Sequence, residues 1–580
     1  MKILLCALNA KYIHSNLAVY SLKAYSEALN GTKDWDIKIK EYTINHYQDD
    51  ILTDIYQEKA DVVVFSCYIW NMNMIYDICT DLKLASPDTK IWVGGPEVSY
   101  DSEKVLKEHP EISLVMKGEG EKTFSRLLSG EEKENISGIT YREGEQIRSN
   151  LMAPVMDMDE IPFVYEDMKD FEHKIVYYET SRGCPFSCSY CLSSIDKAVR
   201  FRSLDKVFGE LTFFMEHKVP QVKFVDRTFN CNKKHARAIW RFLQENDNGI
   251  TNFHFEVSAD LIEEEDLEIM EKMRPGLIQL EIGVQSTFGP TIKEIHRTMD
   301  LEKLRAKVKR VKEMKNIHQH LDLIAGLPYE DLETFRKSFN DVYSMEPDQL
   351  QLGFLKVLKG SYMAENAKAY ELVYRHKPVY EVISTKWLSY DEVLLLKRVE
   401  EMVEVYYNSC QFHYTLAYLL HFAKTPFDFY KELGEYYVRE GLHERKHNRP
   451  ARYEILMNFA KEAGYGDEEI VRELLTYDLY LRENMKSRPS WAKDLSKWNK
   501  IYLEFFRHEE EALKYIKEEP YDSRKASRQY HLEYWDFDME ETALTGEKCG
   551  EPAHVLFDYN HRNPLSGDGM TVKIKHFLLD

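Results

Sequence analysis

The chain has 580 residues, 44% of them hydrophobic, too long for one core and suited to about three domains. Its 77 Lys and Arg stand against 98 Asp and Glu, a net charge of −21, which argues against an extended surface for a phosphate backbone. Nine cysteines, three of them within eight positions, argue against a disulfide framework; Met1 leads straight into Ile3-Leu4-Leu5 with no leader pattern and no membrane span, so a reducing cytoplasm is expected.

From residue 1 to about 150, short apolar runs at Lys2–Leu8, Ile37–Ile44, Val62–Tyr68, Lys90–Gly95 and Leu114–Lys117 alternate with helical patterns. That rhythm predicts an α/β, doubly wound, Rossmann-like domain with a parallel sheet. Its strand ends should face a ligand crevice, and they carry Asn9, Ser66-Cys67-Tyr68, Gly94-Gly95-Pro96-Glu97 and Gly118-Glu119-Gly120-Glu121. Cys67 and Cys79 sit in apolar strand and helix patterns and read as small hydrophobes. A turn-rich hairpin, Gly138 to Arg148, closes the region, and Pro154 and Pro162 mark a linker over 151–173.

Residues 174–360 repeat the alternation. Strands are expected at Lys174–Thr180, Gln221–Val225, Asn252–Val257, Leu277–Val284, His320–Ile324 and Gln349–Val357, six strand–helix units that make a partial (β/α)6 barrel. The last region, 361–580, is mostly helical in pattern and rich in Tyr and Glu, with a late strand pair at Val555–Asp558 and Thr571–His576. Its aromatics Trp387, Tyr390, Tyr406, Tyr407 and Tyr414 read as core, and the basic run around Arg445-Lys446 reads as a solvated loop.

Directly after the first strand of the second region comes Ser181-Arg182-Gly183-Cys184-Pro185-Phe186-Ser187-Cys188-Ser189-Tyr190-Cys191. Three thiolates on one loop can reach one metal centre, and no fourth Cys or His follows at zinc-knuckle spacing, which leaves a coordination position open. Cysteine thiolates are the usual ligands of iron–sulfur clusters, and three of them leave one iron free for a small molecule.

The Cys-x3-Cys-x-aromatic-Cys pattern, with Tyr190 as the aromatic, resembles the signature of the radical S-adenosylmethionine (SAM) superfamily. The resemblance implies that Cys184, Cys188 and Cys191 hold a 4Fe-4S cluster whose free iron chelates SAM. One electron from the cluster then cleaves SAM to a 5′-deoxyadenosyl radical that abstracts hydrogen. The downstream strand ends look like the coproporphyrinogen-dehydrogenase and methylthiotransferase branches, in which the matching residues, here Glu256, Gln285, Arg297 and Asp322, contact SAM. A carboxylate can hold a ribose diol or an ammonium, and an arginine can pair with a carboxylate. Where many members carry Gly-Gly-Glu to hold the SAM amine, this chain has Asp226-Arg227-Thr228, with Asp226 as the candidate.

A doubly wound domain ahead of such a barrel is similar to the cobalamin-binding radical SAM group, and Val93-Gly94-Gly95-Pro96-Glu97-Val98-Ser99 matches its Gly-Gly-x-x-x-Ser/Thr run. The resemblance implies cobalamin contacts from Gly94, Gly95 and Ser99, with Asn9 at the neighbouring strand end. The Asp and Gly of an Asp-x-His-x-x-Gly cobalt-ligand loop are missing around His14, so a cobalt without a protein imidazole is expected.

Joined together, the parts imply a cobalamin-dependent radical SAM enzyme that transfers a methyl group to an unactivated carbon. An oxidation or cyclisation with the same cofactors, or a sensor that does not turn over, are the other readings. A ferredoxin- or flavodoxin-type electron donor is implied, and a small molecule or peptide is favoured over nucleic acid as substrate. No catalytic side chain and no substrate residue can be named.

Overall fold

The computed structural model describes residues 1–30, 35–517 and 522–574. The chain forms two compact units, one of Met1–Phe335 with Gly353–Tyr390 and one of Arg336–Leu352 with Asp391–Asp580.

The first unit opens with a seven-stranded sheet of β1 (Lys2–Asn9), β2 (Asp36–Thr43), β3 (Val62–Ser66), β4 (Lys90–Gly94), β5 (Leu114–Met116), β6 (Ile139–Glu143) and β7 (Gln146–Ser149), in the order β2-β1-β3-β4-β5-β6-β7. Strands β1 to β5 run parallel and the closing hairpin is antiparallel. Parallel sheets are covered on both faces, so their strands read as unbroken apolar runs. Successive residues of β1 accordingly enter different cores: Leu4, Cys6 and Leu8 pack with Val63, Phe65, Ile51 and Ile75, whereas Ile3, Leu5 and Ala7 pack with Val62, Val64, Val19 and Phe124. Cys67 and Cys79 are fully buried. Chain order reverses between β1 and β3, and a crevice opens beyond the carboxyl ends of strands at such a switch point.

The second sheet of this fold contains β8 (Val176–Tyr178), β11 (Gln221–Phe224), β12 (Asn252–Val257), β13 (Ile278–Gln285), β14 (His318–Ala325) and β15 (Gln349–Phe354) in sequential order. Between β8 and β11 a short ribbon of β9 (Ser181–Arg182) and β10 (Arg200–Phe201) brackets the cysteine loop. Strands β8 and β11 to β14 pair in parallel, and among the described residues the end strands do not pair with each other, so the barrel is open. Alternation decides what lies inside. In β13, Ile278, Leu280, Ile282 and Val284 are buried to 1% exposure or less, while Glu281, Gly283 and Gln285 face the cavity described below. In β12 and β14 the same period places His254, Glu256, His320 and Asp322 on the inner side.

Two contacts fix the sheets to the chain around them. Arg202 and Glu210, 5% and 8% exposed, form a bidentate pair, Arg202 also donates to the carbonyls of Met158 (2.7 Å) and Ile161 (2.8 Å), and Tyr178 Oη donates to Glu210 at 2.5 Å. Farther along, Lys359 lies 3.1 Å from both Glu97 and Asp101, and Tyr380 donates to the buried Glu97. Gly360, at φ +81°, passes beneath the Tyr100 ring, where a Cβ would come within 2.4 Å of a ring carbon.

The second unit is mainly helical, with Pro426–Arg439, Arg449–Ala463 and Glu468–Arg482 the longest helices described in its middle. Tyr406 is fully buried in it, as expected of a core aromatic. Buried Asp478 accepts from the backbone N–H groups of Tyr414 (3.1 Å) and Thr415 (2.8 Å), capping His413–Leu419. The expected late strand pair is a three-stranded antiparallel sheet, because Tyr530–Trp535 joins Ala553–Arg562 and Gly569–Ile574. Lys575 and His576 of the expected strand lie outside the described residues. In the first unit, Tyr390 is 49% exposed and is not core.

Removing one partner of a buried ion pair leaves the other charge uncompensated. Glu210→Ala should therefore lower stability by about 3 kcal/mol or more, whereas the double change Arg202→Met with Glu210→Leu should restore most of it, read as thermal-unfolding midpoints.

Candidate active site

Two cavities meet in the first unit. The larger, about 1570 Å³, lies over the carboxyl ends of β1, β3 and β4 and is lined by Asn9, Ser66, Gly94, Gly95 and Ser99, and also by Tyr177 of β8, Glu179 just after it and Arg182 of β9. The smaller, about 180 Å³, is lined by Cys184, Cys188, Cys191, Tyr190, Glu256, Gln285, Arg297 and Asp322. The structure thus brings the three cysteines and all four expected SAM-contact residues to one cavity, and the four expected cobalamin-contact residues to the other.

Local backbone chemistry makes the larger cavity. Gly95 has φ +118°, and a Cβ there would come 2.4 Å from the Cys67 carbonyl oxygen, so only glycine lets β3 and β4 approach this closely. Ser99 Oγ donates to the Gly95 carbonyl at 2.8 Å and holds the turn. The Asn9 amide donates to Glu41 (2.9 Å) and to the His14 carbonyl (3.0 Å), so Asn9 builds the wall. His14 Nδ1 lies 2.7 Å from Tyr177 Oη, and burial lowers its basicity.

The cysteine loop is held from three directions. Gly183, at φ +90°, brings the chain to within 2.8 Å of the Ala198 carbonyl as measured from an added Cβ. The Cys184 N–H donates to the Asp196 carbonyl (3.0 Å), the Ser189 N–H to Ile295 (2.9 Å), and the Ser189 carbonyl accepts from Met363 (2.9 Å). Sequence reasoning missed the third anchor: Arg182, half-buried at the loop's start, pairs with Glu121 (2.6 Å) and Glu179 (2.9 Å), and Arg200 at its end pairs with Glu119 (2.6 Å) and Asp196 (2.7 Å). Glu119 and Glu121 belong to the Gly-Glu-Gly-Glu run, which both lines the larger cavity and clamps the loop.

Cys184 and Cys188 are 8% exposed and Cys191 more open. Burial pushes the Cys188 thiol up, and Arg297, whose Nη1 lies 3.8 Å from its sulfur and 3.4 Å from Tyr190 Oη, counters that. Among the described residues no three His, Cys, Asp or Glu side chains gather tightly enough for a single metal ion. The donors instead stand around the wall of one cavity, which suits a multi-atom centre with thiolate ligands better than a mononuclear one. A bulge between Gly283 and Gln285 turns Gln285 to φ +72°. Its Oε1 is buried with no protein partner, as is Arg297 Nε, so the cavity presents an orphaned acceptor and an orphaned donor to a polar ligand.

Below them lies a charged ladder. Lys223 Nζ (2.9 Å) and His254 Nε2 (3.0 Å) meet Glu281, and His320 Nε2 meets Asp322 at 3.1 Å. Burial works against the Glu281 charge, but His254 and Lys223 hold the carboxyl well below its usual range. Glu256 has no such partner: burial pushes it up to about 7, with Arg227 opposing. Asp226 corrects an expectation. It is 1% exposed and accepts from Thr180 Oγ1 and Ser181 Oγ, 2.6 Å each, and from the Thr180 N–H at 3.0 Å, so it braces the strand end and does not face the cavity.

Three family models match the chain in order: B12 binding domain over 3–128, Radical SAM superfamily over 178–342, and a protein family of unknown function, DUF4080, over 368–557. An uncharacterized methyltransferase, PH0819, of Pyrococcus horikoshii is 31% identical over 32% of this chain and 44% of its own length. The cobalamin-dependent radical SAM methyltransferase TokK of Streptomyces tokunonensis is 23% identical over 48% and 44%. An anaerobic magnesium-protoporphyrin IX monomethyl ester cyclase of Synechocystis is 28% identical over 37% and 46%. The chain spans about half the length of the curated relatives it matches. In fold it resembles the radical SAM methyltransferase TsrM from Kitasatospora setae, solved with cobalamin and a 4Fe-4S cluster bound, with a TM-score of 0.54 at 15% identity, covering 66% of this chain and 82% of that one. The chain carries a B12-binding domain in front of a radical SAM domain.

The carboxyl of Glu256 is raised in the folded protein, so the folded state holds its proton to higher pH than the unfolded state does, and stability falls as pH rises from about 4.5 through 7. Glu256→Gln should leave the melting midpoint of the cofactor-free protein nearly unchanged at pH 4 and raise it at pH 8, by about 2–3 kcal/mol of stability.

Proposed function

We propose that this protein is a cobalamin-dependent radical SAM enzyme that transfers a methyl group to an unactivated carbon of a small molecule or peptide. The observation that carries the reading is the meeting of the two cavities, one lined by a three-cysteine loop and the other by the Gly94-Gly95 turn. When bound, the cluster supplies the electron that cleaves SAM, and cobalamin supplies the methyl group.

Cys184, Cys188 and Cys191 would hold the cluster through their thiolates. Gln285, Arg297, Glu256 and Asp322 would hold SAM: Gln285 Oε1 can accept from the amine, the Arg297 guanidinium can donate to the carboxylate, and the two carboxyls can accept from the ribose. Gly94 and Gly95 let a bulky planar ligand lie against the backbone, and Ser99 and Asn9 keep that turn and its wall in place. Tyr177, Glu179 and Arg182 wall the larger cavity on the side of the barrel, where a substrate carbon would be shielded from part of the solvent once the cofactors are bound. A one-electron donor of the ferredoxin or flavodoxin type would serve the cluster in the cytoplasm. The similarity to an anaerobic cyclase supports a second reading in which the same residues serve a cyclisation without net methylation.

Anaerobic reconstitution with iron, sulfide and hydroxocobalamin should load about four irons and one cobalt per chain, and reduction with SAM should yield 5′-deoxyadenosine. Cys188→Ala should lose the iron and the deoxyadenosine and keep the cobalt; retention of iron by that variant would refute the ligand set. A methylated product separates transferase from cyclase. Gly95→Val should lose cobalt and keep iron, since its side chain cannot fit beside Cys67.

A further inference from the structure

Arg227 stands in the wall between the two cavities and lines both. It follows Asp226, whose carboxylate is taken by Thr180 and Ser181 and braces the chain just past the end of β11. It is exposed, and among the described residues it has no carboxylate within ion-pair reach and no side-chain hydrogen bond. Of the other guanidiniums lining these cavities, Arg182 is paired with Glu121 and Glu179, and Arg297, anchored on the Gly283 carbonyl and Tyr190, keeps only its Nε donor free, for the SAM carboxylate. Of the carboxyls around it, Glu179 is taken by Arg182 and Asp226 by its two hydroxyls, and Glu256, which shares the smaller cavity with Arg227, is pushed toward its neutral form by burial.

A guanidinium stays charged at any physiological pH. Ligands filling the two cavities would strip water from it, and a desolvated charge without a counter-ion is strongly unfavourable. A planar fork with parallel N–H donors is the natural complement of a carboxylate or phosphate. We propose that Arg227 receives a carboxylate or phosphate group of the substrate, which makes the substrate an anion anchored at the junction of the cavities. This rests on reading the cavities as the two cofactor sites, and SAM itself has Arg297 for its carboxylate.

The test uses the full chain and its variants Arg227→Gln and Arg227→Lys, with inorganic phosphate as the probe in equilibrium dialysis, run with and without cofactors. Dissociation constants for hydroxocobalamin, SAM and decarboxylated SAM are measured on the same preparations. Wild type should bind phosphate about tenfold more tightly than Arg227→Gln, with Arg227→Lys between them, and all three should bind cobalamin and SAM alike. Phosphate binding that is absent, or equal in wild type and Arg227→Gln, overturns the proposal. So does a variant that loses affinity for SAM but not for decarboxylated SAM, which would make Arg227 the receptor of the SAM carboxylate, or one that loses cobalamin. Failure of wild type to retain iron and cobalt refutes the proposed function instead, and the phosphate comparison without cofactors still decides the role of Arg227.

Discussion

The site depends on a set of half-buried ion pairs at the two ends of the cysteine loop. A loop of this length between two-residue strands has little sheet pairing of its own, and its position is set by Arg182 and Arg200, whose partners Glu121 and Glu119 lie just beyond β5, in the turn and first helical residue that follow it. Such pairs are unremarkable as sources of net stability, since desolvation offsets much of the attraction. Their directionality is what matters here. Arginine forks accept carboxylates in few geometries, so the pairs fix where the thiols lie relative to the crevice over β1, β3 and β4. A lysine in either place would keep the charge and lose the registration.

Within the barrel, the polar interior is a product of pleating. Each strand turns apolar side chains to one side and polar ones to the other, and the inner positions of four successive strands carry Lys223, Glu256, Glu281 and Asp322 with two histidines between them. Most of these charges neutralise one another. Glu256 has no such partner and Gln285 has an unpartnered amide oxygen, and both face the cysteine cavity. The positive φ of Gln285 belongs to the same economy: a bulged, left-handed residue is unfavourable for an amide side chain, and the bulge aims that amide at the cavity.

Much of this was legible in the residues. Short apolar runs alternating with helical patterns, and glycine-rich strand ends, pointed to both sheets, because parallel strands covered on both faces read as unbroken apolar runs, and the cysteine spacing marked the loop. Asp226 misled because position along a strand says where a carboxylate is, not whether local hydroxyls have already claimed it; Thr180 and Ser181 are distant in sequence and adjacent in space. The pairs of Arg182 with Glu121 and of Arg200 with Glu119 likewise span more than forty intervening positions and are invisible to a local reading. Tyr530–Trp535 was missed for another reason: its residues alternate weakly, and it becomes a strand only beside Ala553–Arg562.

The contact of Lys359 and Tyr380 with Glu97 has a bearing on how such proteins diverge. The stretch after β15 is chemically part of the Gly94-Gly95 turn, since it supplies the cation and the hydroxyl that neutralise a carboxylate buried to 3% exposure. The DUF4080 match begins at residue 368, between these two partners. Recombination at that point would separate Tyr380 from Glu97 and import whatever residue another lineage carries there. An exchange of carboxy-terminal regions that keeps this contact has to begin beyond Tyr380.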